Sequence, residues 1–413
     1  MDKEQQTLLK LLAMEAGNDI AVPEVPDGLD WLKMLSLAAK SRVEGLIYSR
    51  VESLPAQLGP PEELLGEWKQ RVVRQGCAQL YNDRSLAELL AVFKKQGLGY
   101  TLFKGPVLAE LYKAPSLRFS CDYDIFVTQE DLPQAEGLLA AMGGQYLEAW
   151  SKQHVSNWQM AKGTKLEIHT RLSEDYLDRR SVALEGMGMT EPQNQMRLNT
   201  HIGQVTTMEH TNHLLYQIYH IAKHITYRGI MLRNFIDLTL FVNRYMDEID
   251  IGRFWEGIEA LGYTKLCGHM LAACAFYFGI DQRILPANTV VAEQDVNGFM
   301  EGMMLWFMPY DSGEVGGRAS SFIFQSVMRP KEHMDSQATQ KTNHVIRGFL
   351  FPPPRLLTER FGYAKKHPVL LPIAWVHRII SALCSKEGFA YVGQRYDAVR
   401  CKTDFLEAYD LLS

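Results

Sequence analysis

The stretch LRFSCDYDIFV (117–127) decides how this chain is read. From Ser120 to Val127 acidic and apolar residues alternate, the period-two mark of a β-strand. Residues two apart on a strand point to the same face, so Asp122 and Asp124 lie side by side, about 6–7 Å apart at their backbones. Two carboxylates so placed repel each other unless a cation lies between them. Ile125, Phe126 and Val127 make this a core strand, which puts the carboxylates at its end.

Outward from this strand the texture stays mixed. GYTLFKG (99–105) is a short apolar run closed by glycine, and Pro106 to Tyr112 reads as one short helix. Asp131 to Met142 reads as a helix stopped by Gly143-Gly144, and KLEIHTRL (165–172) as another alternating strand. On that strand Glu167 and His169 share one face while Leu166 and Ile168 take the buried one. Strand, helix, strand, helix, strand in so short a span is a compact α/β unit. If the Glu167 strand pairs with the Asp122 strand, three carboxylates converge. Such a cluster suits two Mg²⁺ ions, for which Mn²⁺ would serve, because hard cations take oxygen ligands and substrate phosphates. Taken alone, D-x-D reads equally well as an exposed strand end and Glu167 as a solvated residue.

The flanks read as helical. Leu8, Leu11 and Leu12 recur at helix spacing, and a long amphipathic pattern from Glu62 to Gln96 sets Leu80, Leu86, Leu89, Leu90 and Phe93 on one side. After about residue 185 the pattern is helical again. The expected organisation is a helical region over 1–96, an α/β core over 97–185 and a helical region over 186–413, with a glycine-rich loop at 311–321 and a rigid proline turn at 351–355. In the last region His213, Gln217, His220 and His224 form a polar stripe beside the apolar face Leu214, Ile218, Ile221 and Ile225. The stripe contacts a nucleotide or is structural. His220 and His224 also have zinc-ligand spacing, and Asp237 would complete a hydrolase-type site, but the glutamate of a metalloprotease helix is replaced by Ile221.

Composition excludes several classes. With 413 residues, 46% hydrophobic and 22% charged, the chain can bury a core throughout. A net charge of −5 argues against a dedicated nucleic-acid binder. Six scattered cysteines without a CxxC pair argue against a disulfide framework or structural zinc. The polar start and the absence of a long apolar run point to a cytoplasmic protein without a membrane span. P-loop, GxSxG and kinase motifs are missing.

LFKGPVLAELY (102–112), LRFSCDYDIFV (117–127) and LEIHTRL (166–172), taken in order, resemble the nucleotidyltransferases of the DNA polymerase β-like superfamily. A looser likeness runs through the helical stretch 213–241. The resemblance implies an α+β fold, a small mixed sheet embedded in largely helical N- and C-terminal regions. It implies that Asp122, Asp124 and Glu167 are catalytic metal ligands, Glu167 on the acceptor side, and that Gly105 opens a helix facing the nucleotide phosphates. Lys104 and Arg118 would neutralise triphosphate charge, or else form ion pairs with nearby carboxylates. His169, with His220 and His224, would touch the nucleotide; His169 is equally read as orienting Glu167 or as structural. The chain departs from the superfamily pattern at Pro106, which removes a backbone donor, and at Glu167, where aspartate is commoner. The implied reaction is transfer of a nucleoside monophosphate from a nucleoside triphosphate to a hydroxyl of a small molecule, peptide or protein, with release of pyrophosphate. The alternatives are a non-catalytic, antitoxin-like nucleotide- or partner-binding protein and a metal-dependent phosphohydrolase using His220, His224 and Asp237.

Overall fold

The computed structural model describes residues 1–17, 25–148, 154–160, 163–173, 179–227, 230–286, 292–304, 363–364, 367–383 and 405–411. The loop expected at 311–321 and the proline turn at 351–355 lie outside them. The chain divides into two compact units, Met1–Ile221 with Met231–Glu301, and Ala222–Ile230 with Gly302–Ser413. In the second, a helix runs over Leu371–Leu383, with Leu371 and Tyr363 packed on buried Ala364 and Ala374. No helix among the described residues is long and apolar enough to cross a membrane.

The first unit begins with helices α1 (Lys3–Glu15), α2 (Trp31–Lys40), α3 (Glu44–Glu52) and α4 (Glu62–Lys95). Their starts follow from capping chemistry. Asp2 and Gln5 close a capping box on α1, and the Asp30 side chain accepts from the Lys33 amide on α2. Glu62 and Glu63 open α4 and Lys94 and Lys95 close it, matching the helix dipole, and Gly97 ends it at φ 70°. The buried stripe of α4 differs from the expected one. Leu80 is 58% exposed, and the stripe runs instead through Gln79 and Asp83 to Leu86, Leu90 and Phe93. Two polar residues sit on the inner face because the sheet offers them a partner, the Tyr123 hydroxyl, at 2.9 and 2.6 Å.

A five-stranded mixed sheet follows, built from β1 (Thr101–Phe103), β2 (Tyr123–Phe126), β3 (Gln145–Tyr146), β4 (Val155–Gln159) and β5 (Lys165–His169) in the order β1-β2-β5-β4-β3. Helix α5 (Gly105–Ala109) links β1 to β2, and α6 (Leu132–Ala141) links β2 to β3. β2 and β5 pair in parallel with Asp124 opposite Glu167; the other pairs in the sheet are antiparallel. Leu102, Ile125, Leu166 and Ile168 make one apolar layer with Leu86, Leu90 and Phe93 of α4 and Ala135 and Leu139 of α6. The fold is thus the expected α+β arrangement.

Helix α7 (Arg179–Gly186) leads to a hairpin where helix was expected, β6 (Gln195–Thr200) paired with β7 (Gly203–Met208). Its alternation of Met196, Leu198 and Val205 with polar residues is short, and its two-residue turn, His201-Ile202, lacks the Asn-Gly or Asp-Gly pair that marks a hairpin in sequence. The tip docks through His201, whose ring nitrogens lie 3.1 Å from Glu110 and 3.1 Å from Asp83. Helices α8 (His210–Tyr227), α9 (Leu232–Tyr245), α10 (Ile251–Ala260), α11 (Thr264–Phe278) and α12 (Glu293–Gly302) follow.

Candidate active site

The parallel β2–β5 register brings Asp124 beside Glu167, the adjacency that the alternating patterns called for. His169, two residues on, turns its ring onto the same spot. Its Nε2 lies 3.1 Å from Asp124 Oδ1 and 3.6 Å from Glu167 Oε2. Ligand atoms of these three side chains all lie within 4.8 Å of one another, forming the one such metal-competent group among the described residues. Asp122 sits just before β2 but outside this tight trio. Its carboxylate makes no hydrogen bond or ion pair among the described residues. Burial, and then the like charges of Asp124 and Glu167, push its pKa up to about 6. An uncompensated carboxylate beside a trio of O and N donors fits a divalent cation.

Asp124 is held differently. Burial would raise its pKa, but Lys104 and His169 outweigh burial and hold it below the usual carboxylate range. Lys104 Nζ lies 3.0 Å from Asp124 Oδ2, so the two oxygens face two different cations or donors. Burial opposes Glu167 too, yet the His169 imidazole 3.6 Å away keeps it lowered. His169 is correspondingly raised by its two carboxylates against its burial.

Lys104 reaches this place through an unusual backbone. Its φ is 57° and its ψ −137°, a region that a side-chain-bearing residue enters at a cost of about 1–3 kcal/mol. Two contacts hold it there: the Nζ–Asp124 pair and its own amide, which donates to His213 Nε2 at 3.2 Å. To accept that proton His213 must be neutral, and burial followed by the charges of His210 and Lys104 lowers its pKa to about 3. So the first histidine of the stripe is a backbone acceptor that shapes the lysine turn. Gly105 follows at φ +38°, its missing Cβ leaving room for the Tyr123 ring, which a methyl would meet at 3.2 Å.

The expected phosphate cradle at the start of α5 is thin. The helix has five residues, Pro106 has no N–H, and the amides of Val107 and Leu108 close on the Lys104 carbonyl at 2.9 and 3.3 Å. The backbone of this turn therefore offers little for an anion.

Arg118, expected either to meet triphosphate or to pair with a nearby carboxylate, does the second, but inside the protein and not at its surface; it is 3% exposed. Its Nε and Nη2 donate to both oxygens of Asp237 on α9 at 2.7 and 2.8 Å, and its Nη1 to Ser120 Oγ at 2.9 Å and to Gly105 O at 3.3 Å. The Tyr112 hydroxyl also donates to Asp237, at 2.7 Å. Arg118 is a strut joining the Asp122 loop, the Gly105 turn and α9. This arrangement takes Asp237 as the strut's counter-charge. His220 sits on α8 with its ring 6.1 Å from Tyr216, and His224 lies on the part of α8 that belongs to the second unit.

A further cation beside the acidic cluster is Arg233. Its i,i+4 spacing brings Nε to 4.0 Å from Asp237 Oδ2, an ion pair at the limit of contact, while Arg118 takes the short bonds to both Asp237 oxygens. One guanidinium nitrogen donates to the Phe119 carbonyl in the loop that carries Asp122, while Nε is buried without a hydrogen-bond partner. Burial, and then the Arg118 charge, lower its pKa. An under-compensated cation beside an acidic cluster is suited to a polyanion. Its signal was the RNFID stretch (233–237), legible only once Asp237's true partner is known.

A family of uncharacterised nucleotidyltransferases matches residues 27–279, more than half of the chain. No curated protein matches it in sequence. Among solved structures, an antigenic nucleotidyltransferase-like protein from Paracoccidioides brasiliensis is similar at 14% identity and TM-score 0.32, covering 49% of this chain and 95% of that one. The antibiotic-resistance factor ANT(2'')-Ia is similar at 11% identity and TM-score 0.30, covering 48% of this chain and 94% of that one. At TM-scores this low neither likeness bears on this chain's chemistry.

Proposed function

Because the chain belongs to the family of uncharacterised nucleotidyltransferases, we propose that it transfers a nucleoside monophosphate from a nucleoside triphosphate to an acceptor hydroxyl, with release of pyrophosphate and dependence on Mg²⁺. The observation that carries this reading is the β2–β5 register, with Asp124 opposite Glu167 and Asp122 close enough to feel both charges. Bound divalent cations would neutralise triphosphate charge and align the attacking and leaving oxygens.

The remaining work belongs to the chain. Asp122 and Asp124 would hold the cation that accompanies the triphosphate, and Glu167 the acceptor side, where its carboxylate takes the hydroxyl proton. Lys104 would exchange its Asp124 partner for a phosphate oxygen, and Arg233 would meet the leaving pyrophosphate. Arg118 would keep the loop and turn in place without touching substrate. Catalysis on this reading is positioning and charge neutralisation. The acceptor class is a small molecule, peptide or protein, since the acidic chain lacks the cationic footprint for nucleic acid.

Calorimetry with each nucleoside triphosphate tests the reading. Binding should need Mg²⁺ and vanish in Asp124→Asn; equal affinity in EDTA would sink the metal-bridged site.

A further inference from the structure

His169 is more than a neighbour of the acidic pair. It is 5% exposed, on the strand that carries Glu167, with its ring 5.6 Å from that of Phe103. Its Nε2 sits 3.1 Å from one oxygen of Asp124 and 3.6 Å from one of Glu167. Around an ion with ligands about 2.1 Å away, ligand atoms at right angles lie about 3 Å apart. The two separations therefore match neighbouring ligands of one ion. The other Asp124 oxygen faces Lys104 instead, at 3.0 Å, and is open to a second cation beside Asp122 once Lys104 turns to phosphate.

We propose that His169 is a metal ligand, so that one of the two cation positions, formed by Asp124 Oδ1, Glu167 Oε2 and His169 Nε2, takes a first-row transition-metal dication in preference to Mg²⁺. This rests on the metal-dependent reading above. The preference follows from ligand chemistry. Mg²⁺ demands oxygen donors in near-ideal octahedral geometry and gives up water reluctantly, whereas imidazole nitrogen suits transition metals. The position beside Asp122 has only carboxylate donors and keeps the Mg²⁺ preference. A purely orienting histidine would donate to one carboxylate and leave metal choice to the oxygens.

The test uses the full chain and MnCl₂ alone, with no nucleotide. Electron spin-echo envelope modulation reads nitrogen bonded to Mn²⁺, and calorimetry reads affinity. Nitrogen modulation should be present in the wild type and lost in His169→Gln and His169→Asn, each confirmed folded by circular dichroism. Wild-type protein should bind Mn²⁺ at least about tenfold more tightly than Mg²⁺. The substitutions should weaken Mn²⁺ by about tenfold or more and Mg²⁺ by less than about threefold. Mn²⁺ bound without nitrogen modulation, modulation that persists in a folded variant, or no wild-type preference for Mn²⁺ would overturn the ligand role while leaving the metal-dependent reading intact. No Mn²⁺ or Mg²⁺ binding at all would overturn both.

Discussion

Asp122→Asn should stabilise the metal-free protein, and the gain should appear and disappear with pH. In the unfolded chain the carboxyl titrates at its ordinary value of 3.8; in the fold it is pushed up to about 6 by burial and by Asp124 and Glu167. The folded state thus holds the proton more tightly. Its stabilising effect is complete below about pH 4 and is lost as pH rises through 6, so at neutral pH the ionised group is a net cost. A shift of about two units at about 1.4 kcal/mol each sets a ceiling near 3 kcal/mol, and partial solvent access lowers it to about 1.5–3 kcal/mol. Asparagine cannot ionise and removes this cost. At about 2 °C per kcal/mol for a unit of this size, Tm should rise by about 3–6 °C at pH 8 and by about 1 °C or less at pH 4. Asp124→Asn should do the reverse, because it strips Lys104 of a partner at 3.0 Å and His169 of one at 3.1 Å. Leaving a buried cation unpaired costs about 3 kcal/mol, or about 6 °C. Thermal melts by circular dichroism in EDTA, at pH 4 and pH 8, measure both. An Asp122→Asn protein that melts below wild type at pH 8, or keeps its full gain at pH 4, would refute the reasoning.

Asp237→Asn should destabilise the apo protein by about 3 kcal/mol in urea melts, since it removes the negative charge, and one of the two acceptor oxygens, that faces the buried Arg118 guanidinium; Arg118→Met in the Asp237→Asn background should cost less than either change alone predicts, because no uncompensated Arg118 charge is left. Glu167→Gln should lower turnover by about 100-fold or more while nucleotide affinity by calorimetry stays within several-fold, the mark of an interaction made mainly in the transition state. Arg233→Ala should raise the KM for nucleoside triphosphate by about tenfold with little change in Tm, an effect of one charge-assisted contact. His201→Gln should cost about 1–2 kcal/mol at pH 6 and less at pH 9, because Asp83 and Glu110 raise the folded pKa of His201 against its burial, and that stabilisation is lost as pH rises through it.

Much of the site was legible because its logic is local. The alternation in 117–127 and 165–172 was enough to put Asp122, Asp124, Glu167 and His169 on strand faces. Leu166 and Ile168 on the buried face left one sensible orientation for that second strand. What sequence could not reach was the choice among distant partners. Arg118 and Lys104 read alike, as triphosphate contacts or as partners of some nearby carboxylate, yet Arg118 pairs with Asp237, 119 residues away, and only Lys104 lies on the Asp124 cluster. His213 read as one member of a stripe, while its job depends on an amide 109 residues earlier. The hairpin of 195–208 was missed because two strands of six residues compete poorly with the helical pattern that follows. Leu80 failed for a related reason: apolar periodicity cannot foresee that Gln79 and Asp83 will meet the Tyr123 hydroxyl inside the core.

The fate of the phosphates tests the central claim most directly. Nucleoside triphosphates labelled at the α- or the γ-phosphorus are incubated with the full chain, Mg²⁺ and a pool of small-molecule and peptide hydroxyl acceptors, and the products are separated. The α-label should move to an acceptor and the γ-label should leave as pyrophosphate, and both signals should vanish in Asp122→Asn and Asp124→Asn. Release of the γ-label as orthophosphate, or transfer that survives either substitution, would contradict it.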